Sequence, residues 1–305
     1  MSDSSGGQPA LFSRRQLLRR SALLLAAAGL PSVCRAVAAP LLSPVAALEW
    51  SAVEMLYVLG LTPMAVSDIS GYNNWVSAPP VPPQVTELGL RTEPNLELLY
   101  SLAPRLLLLP QHSPLSVSRL QQIAPVWQYP FAVAGSTLLS VARQNILQLA
   151  DRLERQPVAQ QYLHSFDQQM AVYRQQLQPL AGKKVLMFTL MSPRQALVLT
   201  RDSLFGEVVT ATGLQSAWQG SSSIWGSVIV GIEQLLTCQA DIVLQFSHGD
   251  QGLTNALSGS PVWQQMPFNL QHRRRLIEPI WLYGSLYSAL RFAGKLVQTA
   301  EEYRA

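Results

Sequence analysis

The chain has 305 residues, 48% hydrophobic and only 13% charged, with a formal net charge of +4, so it can bury a sizeable core and is not a disordered segment. Its length suggests about two domains. The excess positive charge sits in residues 1–39, where five arginines face one aspartate, while the remainder balances 17 basic against 17 acidic residues; a basic nucleic-acid-binding face over the folded protein is therefore unsupported.

In chain order, the first element is an address. Ser13-Arg14-Arg15-Gln16-Leu17-Leu18 places paired arginines before the apolar run Leu23 to Leu30, and Ala36-Val37-Ala38 supplies a small-residue cleavage sequence. This is the layout of an export signal, too short to span a bilayer. The arginine pair is of the twin-arginine type, which exports folded protein; a general secretory signal with an incidental pair is the alternative. The signal is expected over 1–39. Loss of Cys34 with it leaves Cys238 alone, so neither a disulfide nor a cysteine-rich zinc site can form. The apolar flanks of Cys238 predict a small buried hydrophobe. No later segment reaches the ~18 uncharged apolar residues of a membrane helix.

Beyond the signal, helical patterns alternate with short apolar runs at Leu106 to Leu109, Val185 to Phe188, Ala196 to Thr200 and Ile242 to Phe246. That alternation predicts an α/β fold whose strands are covered on both faces. An internal repeat predicts two related lobes. Glu54 to Leu61 and Glu207 to Leu214 each read as a helix closed by a glycine at the same distance from its glutamate, and Glu97 and Glu233 each stand at the same offset before a strand. Between them, Tyr162, Phe166, Met170, Tyr173 and Leu177 form one stripe of a helix. The expected division is an N-terminal lobe over 40–157, a bridging helix over 158–178 and a C-terminal lobe over 179–305. The triplet Arg273-Arg274-Arg275 is expected in a solvated loop.

No catalytic or metal signature is present. The four histidines, His112, His164, His248 and His272, never pair at helical ligand spacing, and there is no nucleophile elbow, phosphate loop or dinucleotide fingerprint. An enzyme is not expected. What the chain offers instead is aromatic residues among loop formers. Trp75 lies in Asn73-Asn74-Trp75-Val76-Ser77 and Trp225 in a Ser/Gly-rich stretch, while Trp281 and Tyr283 alternate on an extended segment. Core packing is expected for Trp50 and Trp263. Arg91 stands between turn residues, either as a ligand-facing cation or paired with Glu93 or another local acid.

These stretches resemble the periplasmic hydroxamate-siderophore (ferrichrome-type) binding proteins of ABC iron importers. The resemblance spans the mature chain and rests on Ala47-Leu48-Glu49-Trp50, Asn74-Trp75-Val76-Ser77, the string Gly89-Leu90-Arg91-Thr92-Glu93-Pro94-Asn95-Leu96-Glu97-Leu98-Leu99, Ala217-Trp218-Gln219-Gly220, Trp225-Gly226-Ser227 and Trp281-Leu282-Tyr283-Gly284. It implies two α/β lobes joined by a single long helix, with a ferric hydroxamate held in a shallow cleft between them and no cofactor or protein-borne metal ligand. It implies Arg91 as donor to the hydroxamate oxygens and Trp75, Trp225, Trp281 and Tyr283 as the aromatic wall. Ser223, Ser227 and Ser113 complete that implied set. Ser223 replaces the asparagine usual two residues before the cleft tryptophan, and Pro110-Gln111-His112-Ser113-Pro114 lacks the family's tyrosine. The resemblance further implies a periplasmic monomer that docks on an inner-membrane ABC permease, served by its ATPase, through Glu97 and Glu233. A metal-ion or haem carrier of the same fold using His112 is one alternative, and an exported enzyme is another.

Overall fold

Short apolar strands send successive side chains to opposite faces, and this alternation organises the molecule. The computed structural model describes residues 41–248 and 251–303; the expected export signal lies outside them. The first lobe runs β1 (Leu41–Ala47), α1 (Trp50–Val58), β2 (Leu61–Val66), α2 (Ile69–Trp75), β3 (Thr86–Glu87), the small hairpin β4 (Gly89–Leu90) and β5 (Glu93–Pro94), α3 (Leu96–Leu102), β6 (Leu106–Pro110), α4 (Val117–Leu120), β7 (Val126–Tyr129) and α5 (Leu138–Arg152). Its main sheet is parallel throughout, in the order β3-β2-β1-β6-β7.

Helix α6 (Gln156–Leu177) follows, and the stripe predicted from Tyr162 to Leu177 is the face it packs inward. Its 22 residues extend about 33 Å. The second lobe runs β8 (Lys184–Ser192), β9 (Gln195–Leu199), α7 (Leu204–Ala211), β10 (Gln215–Ser216), β11 (Ser227–Gly231), a 3₁₀ turn over Ile232–Thr237, β12 (Ile242–Phe246), α8 (Gln251–Ser258), α9 (Pro261–Gln264), α10 (Pro267–Leu270), β13 (Arg274–Ile277) and α11 (Leu286–Glu302). Its sheet is mixed, in the order β11-β9-β8-β12-β13, with β9 antiparallel to both neighbours and β10 beside β8.

In β1, Val45 and Ala47 face one core while Ala46, with Leu48 just after the strand, faces another; in β12, Ile242, Leu244 and Phe246 do the same against Val243. Each sheet thus has an outer core of its own, and the inner faces of both sheets share a single continuous core. Helix α6 is the chain's connection between lobes, but α11 also packs on α1, α5, α6 and α7, so apolar contact extends well beyond the bridging helix. The repeat glutamates cross this boundary. Glu207 of α7 accepts hydrogen bonds from the Leu138 and Leu139 amides at 2.7 and 2.8 Å, which start α5. Glu54 of α1 accepts from Ser285 and Ser288 at the start of α11. Gly60 and Gly213 close α1 and α7 with φ of +70° and +89°, the left-handed turn that favours glycine.

Two expectations change. The arginine triplet is not a solvated loop but meets edge strand β13, where Arg274 donates to Gln245 and Asn269, Arg275 pairs with Glu302 and Arg273 donates to the Ala240 carbonyl. Cys238 is only half-buried, against the outer core of the second lobe; burial raises its thiol pKa. Among the described residues no helix is long and apolar enough to cross a membrane.

Candidate ligand-binding cleft

Parallel strands that all end on one side present their following loops together. From the first lobe, Leu48 and Glu49 follow β1, His112 and Ser113 follow β6, Phe131 follows Tyr129 at the end of β7, and Arg91 occupies the β4–β5 turn. The second lobe contributes Trp225 from the loop before β11, and Trp281 and Tyr283 from the segment between β13 and α11. These residues enclose a cavity of about 420 Å³, within the range of small-molecule sites.

The wall is a connected set of rings. Trp225 meets His112 edge-on at 4.4 Å between centroids, Phe131 at 5.1 Å and Tyr283 at 6.1 Å. Trp281 stands edge-on to Tyr283 at 5.5 Å and to Trp50 at 4.7 Å. Gly226 carries φ +69°, and a Cβ there would lie 2.2 Å from the Ser203 backbone, so only glycine lets the Trp225 loop pass this close. Burial lowers the pKa of His112 despite the opposing field of Glu49, which keeps its imidazole neutral at neutral pH. Burial raises Tyr283, whose hydroxyl shares a 3.0 Å hydrogen bond with Ser227.

Arg91 is the cation of the cleft. Its guanidinium lies 3.6 Å over the Trp50 ring and 5.2 Å from that of Trp281. Nη1 donates to Glu49 at 3.0 Å, and Nε is 3.8 Å from Asp68; the local acid is therefore Glu49, not Glu93. Two shielded N–H donors of this wall, Arg91 Nε and Trp281 Nε1, have no hydrogen-bond acceptor among the described residues.

The structure gathers Arg91, Trp225, Trp281, Tyr283, Ser113 and His112 at one cavity. It does not bring Trp75, Ser223 or Ser227 to its lining. Trp75 ends a helix rather than sitting in a loop, and stacks on His248 of the other lobe at 4.5 Å with 19° between planes, behind Trp281. Ser223 is an exposed turn residue whose Oγ accepts from the Trp225 amide, and Ser227 is buried behind Tyr283. The sequence reading missed Glu49, Tyr129 and Phe131; their place at the ends of parallel strands was the available signal. Glu97 and Glu233 are both exposed, each in the first turn of a short helix, and neither makes an ion pair among the described residues. Among the described residues there is no group of three His, Cys, Asp or Glu side chains able to hold a metal ion, so His112 lacks partners for an ion site.

Comparison with known proteins places this geometry. The family model described as "Periplasmic binding protein" matches residues 45–279. The iron(3+)-hydroxamate-binding protein FhuD of Escherichia coli (strain K12) is 35% identical over 282 residues, covering 92% of this chain and 94% of that protein. The FhuD structure from Vibrio cholerae with bound Fe³⁺–Desferal aligns with a TM-score of 0.78 at 28% identity, covering 84% of this chain and 96% of that one. The fold extends to the triscatecholate siderophore-binding protein FeuA of Bacillus subtilis, TM-score 0.70 at 13% identity over 85% of this chain and 93% of that one; the architecture alone therefore does not decide the ligand. The match over most of its length shows that the chain belongs to the periplasmic binding protein family.

Proposed function

We propose that this chain captures ferric hydroxamate siderophores in the cleft between its lobes and delivers them, in the periplasm, to an inner-membrane ABC permease and its ATPase. The observation that carries the reading is the cleft itself: an aromatic wall holding one fixed guanidinium, in a chain 35% identical to an iron(3+)-hydroxamate-binding protein over nearly its full length. Hydroxamate oxygens saturate Fe(III), so the cargo needs no ligand from the protein. What is left to grip is a compact complex with apolar flanks and a ring of oxygens. Rigid tryptophan and tyrosine rings supply contact area at low entropic cost, and arginine presents a fork of donors. Arg91 is read as the donor, with neutral His112 and Ser113 taking the place of the absent tyrosine. Trp225, Trp281 and Tyr283 pack the flanks. The protein acts as a carrier and catalyses no reaction.

The lobes are read as residues 40–157 and 179–305, behind a cleaved signal over 1–39, and the carrier as a monomer. Glu97 and Glu233, one per lobe and exposed, are read as the acidic contacts with the permease. Titration of intrinsic tryptophan fluorescence with ferrichrome and ferrioxamine B tests the central claim. Saturable quenching by one or both is expected; none from folded protein sinks it.

A further inference from the structure

Arg91 stands on a hairpin whose strands are two residues each and pair only with one another. So short a hairpin does little to fix a long side chain at its tip. The guanidinium is instead placed by residues 49–51 at the start of α1. Trp50 supplies the ring beneath it, and Glu49 Oε1 accepts from Arg91 Nη1. Asp68 adds only a longer ion pair, its Oδ2 3.8 Å from Arg91 Nε and beyond hydrogen-bond distance, while its Oδ1 accepts from the Gly71 amide to cap α2.

Glu49 is itself held. Its Oε2 accepts the Ser51 amide at 2.7 Å, which caps α1, and the Ser51 hydroxyl at 2.5 Å. The single Ser51 proton is committed there, so the Tyr129 hydroxyl, 2.8 Å away, must donate to Ser51 Oγ. The order is Tyr129 to Ser51 to Glu49, and Arg91 to Glu49. A buried tyrosine on β7, the capped start of α1 and the cation on the hairpin converge on one carboxylate, whose side chain is only 12% exposed. We infer that Glu49 is the positioning residue that sets Arg91 in the cleft, with Ser51 and Tyr129 as its support; the role rests on the cleft being a ferric-hydroxamate site.

The test is a double-mutant cycle with a ligand-free arm. Glu49→Gln retains an oxygen for the Ser51 amide but loses the charge, and thermal unfolding checks that it folds. Affinity for ferrioxamine B and ferrichrome should fall about tenfold, the loss expected when a charged hydrogen-bond partner is removed. In an Arg91→Ala background the same change should cost nothing further, because a residue acting through Arg91 has nothing left to position. Losses that multiply would overturn the inference, as would wild-type affinity in Glu49→Gln. If Glu49→Gln does not fold, Ser51→Ala runs the same cycle with a smaller expected loss, read in the same way. The second arm follows the Arg91 Nε–H signal in unliganded, ¹⁵N-arginine-labelled protein, assigned by its absence in Arg91→Lys. Glu49→Gln should move it and speed its exchange; an unmoved signal would overturn the role. Should the wild type bind neither complex, the functional reading fails while this arm still decides the positioning.

Discussion

Glu54 Oε2 accepts a hydrogen bond from the Ser285 amide at 2.6 Å, across the boundary between lobes and 231 residues along the chain. The same oxygen accepts the Ser285 hydroxyl, and Oε1 that of Ser288. This satisfies amide and hydroxyl groups at the start of α11, where the helix dipole also favours a negative charge. Glu54 is fully buried, however, and desolvation outweighs these bonds and the field of Arg291, pushing its pKa up to about 7.

That balance predicts an unusual pH profile. The unfolded carboxyl titrates near 4.5 and the folded one near 7, so between those values the native state holds more protons and stability falls as pH rises. The loss is complete above about pH 7 and amounts to roughly 3 kcal/mol by linkage. Glu54→Gln should remove this slope, as read by denaturant unfolding at a series of pH values.

His248 works in the opposite sense. Stacked between Trp75 and Phe246, with Nδ1 3.0 Å from Thr189 Oγ1 and Nε2 facing the Ile280 carbonyl, it is pushed by burial down to about 4. The unfolded state then binds more protons between about pH 6.5 and 4, and stability drops as pH falls through that window. The two effects offset each other in the wild type. Glu54→Gln should therefore become acid-sensitive, and His248→Gln should lose stability only towards neutral pH. A wild-type curve steeper than either variant's would contradict this.

Trp75 and Trp225 should separate stability from affinity. Trp75→Ala removes the interlobe stack on His248 and should cost about 3 kcal/mol of unfolding free energy. Trp225→Ala sits in the cleft wall and should leave the unfolding midpoint nearly unchanged while weakening ferric-hydroxamate binding at least tenfold. Thermal unfolding beside fluorescence titration of both variants makes the comparison.

The exposed carboxylates of Glu97 and Glu233 should matter only with the partner present. Glu97→Arg combined with Glu233→Arg is expected to keep wild-type siderophore affinity in solution and to abolish uptake by cells carrying the permease. Uptake at the wild-type rate would remove both residues from the docking surface. Raised ionic strength should slow association with the permease in the wild type, because exposed charges chiefly steer encounter.

Local pattern carried a good part of this structure. Strand β12 occupies the apolar run Ile242 to Phe246, and all five residues of the α6 stripe face the core. Trp225 was readable from its small and polar neighbours, and Trp281 with Tyr283 from their alternation on one face of an extended segment. The rest depends on partners distant in the chain. Glu49 meets Arg91 across 42 positions, and Ser51 meets Tyr129 across 78. Trp75 carries the same loop-like flanks as Trp225, yet His248 is folded against it, so composition could not distinguish a cleft ring from an interface ring. Ser227 shows the converse: a small polar residue beside the cleft tryptophan turns inward because the Tyr283 hydroxyl needs a partner.

The crossed glutamates have a consequence for how the two halves fold. In each lobe the acid lies on the first helix, and the helix it caps is the one after the last strand of the other lobe. Contact of patch A with patch B, repeated as B with A, is the signature of a two-fold interface between identical subunits. In this chain the same kind of exchange joins two halves that α6 tethers. It also means neither half is self-sufficient: each leaves the opening of its last helix to be completed by the other, so a severed chain should recover its fold by reassociation of the two pieces and not by either piece alone.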